Sequence, residues 1–188
     1  MEDIYLKNEK ITKRIGTLYL VTSAVIAALY VVLTLPFAQF AFGPIQFRLA
    51  EMMVVLPILT PAAIPGLTLG CFLTNLLNPN NLGPIDIIFG SLATLLAALC
   101  TRFTAQKLTR IPQFPRDILA LIPPVLLNAL IVGTYLSFLL TDGPITAVII
   151  AWNVLYIGLS EAVVVFALGL PFLMVMRRSG IEAIWKKK

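Results

Sequence analysis

The chain has 188 residues, 59% of them hydrophobic and 12% charged, with a mean hydropathy of +0.94 and a formal net charge of +5. So apolar a composition excludes an ordinary water-soluble domain and points to the bilayer as solvent. There is no histidine, and the two cysteines, Cys71 and Cys100, lie inside apolar runs without a CxxC spacing. A disulfide scaffold, a cysteine–histidine zinc site and histidine-based catalysis are therefore excluded, and neither metal nor cofactor is expected.

Residues 1–15 (MEDIYLKNEKITKRI) form a charged segment that leads into a hydrophobic run longer than a signal peptide, with no plausible cleavage site after it. The first helix is thus expected to be retained. Crossing a hydrocarbon core of about 30 Å takes roughly 20 apolar residues. Six spans are predicted, at Gly16–Pro36, Phe47–Leu59, Ala62–Leu77, Pro84–Phe103, Ile118–Leu140 and Ile145–Met176. They make residues 16–176 one all-α integral membrane domain, a six-helix bundle followed by a basic tail, 177–188. The second and third runs are short and divided only by Thr60-Pro61, so they read as two short helices or as a bent, re-entrant pair. Between the first two spans, Phe37 to Gln46 is too apolar for a solvent loop, with a turn at Gly43-Pro44, and is expected to fold back as a lid.

Lysine and arginine set the orientation, because positively charged loops stay in the cytoplasm. Lys7, Lys10, Lys13 and Arg14 precede helix 1, Arg102, Lys107, Arg110 and Arg116 follow helix 4, and Arg177, Arg178 and Lys186 to Lys188 follow helix 6. Six spans place all three clusters on one side, so both termini are expected in the cytoplasm, and Arg48 is the basic residue left opposite. The net charge reports topology and lipid headgroups. No soluble module carries a basic, aromatic-interleaved surface, and no nucleic-acid partner is expected.

An ionisable group at the centre of a membrane helix costs about 2.5–3.5 kcal/mol on insertion scales, so each needs a partner or a watered cavity. Arg48 and Glu51 start helix 2, Asn75 ends helix 3, and Asp86 starts helix 4; Trp152, Asn153 and Tyr156 lie in the outer half of helix 6, with Asn128 and Glu161 deeper. Polar groups thus gather toward the outer side, as in a pocket with a few convergent polar groups in an apolar wall.

Each has a plainer reading. Arg48 and Glu51, three apart, are placed to pair with each other at the interface. Asp86 follows Gly83-Pro84-Ile85 in a first helical turn, where an acid favours the helix N-terminus. Asn78, Asn80 and Asn81 suit turn chemistry. Trp152 and Tyr156 fit an interfacial aromatic belt, or share a face that stacks a flat ligand. Glu161 is deep with no basic residue in its own helix, which favours a functional role, and Asn153 lies about 80° from it around the helix. In helix 1, the pairs Ser23/Ala27 and Ala24/Ala28 allow close helix approach, either within the bundle or against a partner.

No GxxxxGK[ST] occurs, so the chain cannot hydrolyse ATP, and no convincing repeat relates residues 16–79 to 84–176. Active transport would need other subunits. An intramembrane enzyme would need a nucleophile in register with a base. Ser160 and Glu161 are the suggestive neighbours, but adjacent helix positions face different directions. A purely structural role leaves Glu161 and the outer polar groups unexplained.

The stretches Gly43–Pro57 (GPIQFRLAEMMVVLP), Thr60–Leu77 (TPAAIPGLTLGCFLTNLL), Asp86–Ala98 (DIIFGSLATLLAA) and Trp152–Pro171 (WNVLYIGLSEAVVVFALGLP) resemble the QueT family of queuosine-precursor transporters, over nearly the whole membrane portion. The resemblance implies a substrate-binding S component of an energy-coupling factor importer in a prokaryotic cell membrane. It would capture a 7-deazaguanine and partner a transmembrane coupling subunit and two ATPases. It further implies that Ala24-x-x-x-Ala28 meets the coupling subunit, and that the whole component topples in the membrane to expose its pocket to the cytoplasm. A deazaguanine offers a flat ring, an N–H and amine edge for one carboxylate, and a carbonyl that needs a donor. Glu161 is the first choice of carboxylate, with Glu51 or Asp86 as competitors. Asn75, Asn128 or Asn153 would serve the carbonyl, Trp152 would stack on the ring, and a second acid would suit an aminomethyl substituent. Arg48 is then expected to fix Glu51 beneath the lid. The nearest alternative keeps this architecture and changes the ligand to another vitamin or heterocycle.

Overall fold

The computed structural model describes residues 2–41, 47–78, 82–141, 143–181 and 185. Among them every regular element is helical: α1 (Glu2–Thr34), a 3-10 turn (Leu35–Phe37), α2 (Ala38–Ala41), a 3-10 helix (Leu49–Ile58), α3 (Ala63–Leu77), α4 (Pro84–Lys107), α5 (Gln113–Ala120), α6 (Ile122–Leu140), α7 (Ala147–Ala162), a π-helical segment (Val163–Gly169) and α8 (Leu170–Arg178). Four stretches are long and apolar enough to cross a membrane, Gly16–Phe37, Pro84–Lys107, Gln113–Leu140 and Ala147–Arg178. The protein is an all-α membrane bundle. The glycine–proline turn expected in the lid, like Asn80, Asn81 and half of the basic tail, lies outside the described residues.

The two short runs are distinct elements separated by the Thr60–Ala62 turn, but the first differs from the α-helix expected of it. Leu49–Ile58 winds as a 3-10 helix, about 20 Å long at 2.0 Å per residue. Pro57 helps to explain this, since it has no N–H for an α-helical bond and disfavours α geometry at Leu56. A segment apolar all round is suited to burial on every side. Ala50, Glu51 and Met53 to Pro57 are all buried, and the helix forms the bundle's axis, packed against α1, α4, α8 and the π segment. Val54, Val55 and Leu56 lie at the centre of the main core, with Ile26, Tyr30, Leu67 and Leu121 around them.

The last span is interrupted as well. Pro171 gives no N–H to Ala167 and crowds its carbonyl, so the preceding turn widens; the Leu170 N–H bonds Val165, five residues back. Gly169 lies against the 3-10 helix, where a Cβ would come within 3.1 Å of the Met52 carbonyl oxygen.

Glycines bring α3 against α1. A Cβ on Gly66 would lie 2.8 Å from the Ser23 carbonyl oxygen, and one on Gly70 2.6 Å from Tyr30 Cβ. The Ser23 hydroxyl donates to the Ala62 carbonyl at 2.9 Å, and Ala27 is buried. The two small-residue pairs of helix 1 therefore separate. Ser23/Ala27 packs inside the molecule, whereas Ala24 and Ala28 are exposed on its outer surface.

Candidate ligand-binding site

One end of the bundle gathers Arg102, Lys107, Arg116, Arg177 and Arg178; we call it the basic end. There Arg177 on α8 grips Asp117 on α5 with two hydrogen bonds, and Arg102 donates to the Pro57 carbonyl at 3.0 Å. The remaining buried charges lie farther along the bundle, toward the opposite end.

Asp86 enters from the first turn of α4. Gly83, at φ +90°, adopts the left-handed conformation that favours glycine, and Pro84 opens the helix. The acid has the position expected of a helix-dipole partner, yet its carboxylate turns inward and is fully buried. Its Oδ1 accepts from the Tyr135 hydroxyl on α6 at 2.7 Å and lies 3.9 Å from Arg48 Nη2. Arg48, also buried, reaches Cys71 Sγ at 3.7 Å. Asn75 on α3 donates to the Asp86 backbone carbonyl at 3.1 Å.

Glu51 projects from the 3-10 helix and accepts from the Tyr30 hydroxyl of α1, both groups buried. Glu161, at the end of α7 just before the π segment, accepts from Asn128 Nδ2 on α6 at 2.8 Å and is 7% exposed. Glu51 and Glu161 are close enough to repel each other, and Arg48 attracts both. Arg48, Glu51, Asp86 and Glu161 thus form one group, with three carboxyls to one guanidinium: Arg48 and Glu51 come from the start of the 3-10 helix, Asp86 from α4 and Glu161 from α7.

The remaining expected residues divide. Asn153 is half-buried and donates to Ser137 Oγ at 2.9 Å. Trp152 is 53% exposed and stacks on the exposed Tyr156, ring centroids 5.7 Å apart. Asn78 is buried at the C-cap of α3. All three amides expected to serve a ligand carbonyl already use a nitrogen within the protein: Asn75 on Asp86, Asn128 on Glu161 and Asn153 on Ser137.

Sequence reasoning missed the two tyrosines that hold acids. Both left a trace. Tyr30 continues the buried stripe Ile26–Tyr30–Thr34, and Tyr135 stands two turns after Asn128 on α6. A tyrosine deep in an apolar span needs a partner for its hydroxyl.

Residues 20–178 match the QueT transporter family, nearly the whole described bundle. The chain belongs to the QueT transporter family. Among its relatives, the queuosine precursor transporter QueT of Lactococcus lactis subsp. cremoris (strain MG1363) is 37% identical over 86 residues. That alignment covers 45% of this chain and 49% of the relative, so the chain spans about half the length of the curated relative it matches. No solved structure matches this family member.

Proposed function

We propose that this chain is the substrate-capturing S component of an energy-coupling factor importer, taking a 7-deazaguanine queuosine precursor from outside the cell for ATP-driven uptake. The observation that carries this reading is the Glu161–Asn128 pair, buried in an apolar bundle beside Glu51 and Arg48. A carboxylate held by one amide keeps acceptor positions for the paired N–H and exocyclic amine of a guanine-like edge. The family match supports a transporter, and the relative's name supports a queuosine precursor as its cargo.

In this reading the chain is the non-catalytic subunit and ATP hydrolysis belongs to two partner ATPases, which accords with the lack of a GxxxxGK[ST] motif in the sequence. The exposed Ala24 and Ala28 would dock the transmembrane coupling subunit. In this arrangement both termini and the basic end face the cytoplasm of a prokaryotic cell, and the acid cluster lies toward the outside.

Co-expression tests the assignment. The chain should bring down a coupling subunit and two ATPases, and Ala28→Leu should cut recovery of the coupling subunit at least about tenfold while leaving ligand affinity unchanged, because a bulky side chain blocks close helix approach. Recovery without any ATPase module would contradict the importer reading. Selective binding of another vitamin, with no deazaguanine bound, would keep the architecture and replace the substrate.

A further inference from the structure

Beside Asp86 the interior holds two acceptors without donors. Asp86 Oδ2 and Asn75 Oδ1 are both fully buried, and neither has a hydrogen-bond partner among the described residues. The Asn75 amide cannot turn over to relieve this, because its nitrogen is committed to the Asp86 carbonyl. An unsatisfied buried acceptor is costly, and each of these two marks a place where a donor belongs.

The spot is tightly packed. Gly90, one turn into α4 from Asp86, lets Asn75 and Tyr135 close on the acid, since a Cβ there would come 2.7 Å from Asn75 Nδ2, 3.4 Å from the Tyr135 hydroxyl and 3.8 Å from Asp86 Oδ1. Tyr135 holds Oδ1 on one side, and Arg48 approaches that same oxygen. Oδ2 is therefore the oxygen left to a visitor. Arg48, 3.9 Å from Asp86 Oδ1, also attracts the deeper carboxylates of Glu51 and Glu161.

Tyr135 and Asn128, which hold Asp86 and Glu161, are seven residues apart on α6, about 10 Å at 1.5 Å per residue. The two acids thus mark two poles of one elongated site. We infer that Asp86 Oδ2 and Asn75 Oδ1 form a second subsite, which takes a nitrogen donor, a protonated amine, on the ligand's substituent, while Glu161 reads the base edge. This rests on the function proposed above and deepens it, because it selects among deazaguanines by their side group. Two acceptors, one of them anionic, suit an ammonium and repel the nitrogen of a nitrile.

The test is a titration of the purified full chain in nanodiscs with two probes, 7-aminomethyl-7-deazaguanine and 7-cyano-7-deazaguanine, alongside thermal melting. The wild type should prefer the aminomethyl compound. Asp86→Asn should weaken that compound about 10- to 100-fold, the range of a lost charged hydrogen bond, and the cyano compound less than about threefold. Gly90→Ala, which crowds Asn75, should show the same selectivity loss and serves where Asp86→Asn does not fold. Equal loss for both probes, or no loss for either, would overturn the subsite and leave the deazaguanine reading standing. A wild type that binds neither probe would overturn the function itself, and the subsite with it.

Discussion

The bundle buries carboxylates in two places and treats them differently. At the basic end Asp117 meets Arg177 in a two-bond fork, and Arg116 lies 3.7 Å from the same carboxylate. The carboxylate there is matched by a two-bond cationic partner, and the pair lines a cavity of about 370 Å³ with Gln113, Phe114 and Arg178. Toward the other end Glu51, Asp86 and Glu161 share Arg48 and are otherwise held by neutral donors, Tyr30, Tyr135 and Asn128. Matched burial is a structural clamp; unmatched burial, where acceptors outnumber donors, is where the protein is prepared for a guest.

Breaking the clamp should give the largest effect on stability. Arg177→Met leaves Asp117 buried against Arg116 alone, and a broken buried pair costs about 3–5 kcal/mol, with the low end expected because Arg116 remains. Thermal unfolding in detergent should register that loss, while ligand affinity stays within about threefold. A large loss of affinity without destabilisation would mean that the clamp belongs to the binding site. At the small end of the scale, Trp152→Leu changes an exposed ring stacked on Tyr156. Ligand affinity should move less than about twofold; a fall of tenfold or more would bring Trp152 into contact with the ligand, in another state of the bundle.

The spans were legible because hydrophobic length is written directly in the chain, and α3, α4 and the end of α6 fall within a few residues of expectation. Winding was not. Hydropathy does not distinguish a 3-10 helix over Leu49–Ile58 or a π segment over Val163–Gly169 from an α-helix, although Pro57 and Pro171 each stood where a regular ladder must fail. The acids stood out from the sequence because charge in an apolar run is rare. Their partners did not, since Tyr30–Glu51, Asp86–Tyr135 and Asn128–Glu161 join residues 21, 49 and 33 positions apart. The small residues of helix 1 show the same limit: two pairs read alike in the sequence, and packing against α3 decided which was spent inside.

The most direct measurement is the affinity of purified wild-type protein and of Glu161→Gln for a deazaguanine queuosine precursor, with guanine and unrelated vitamins as controls. The variant keeps the shape and the contact to Asn128 but removes the charge, so folding should be nearly unaffected. The wild type should bind deazaguanines selectively, and the variant should lose about 10- to 100-fold in affinity. Equal affinity in both proteins would contradict this.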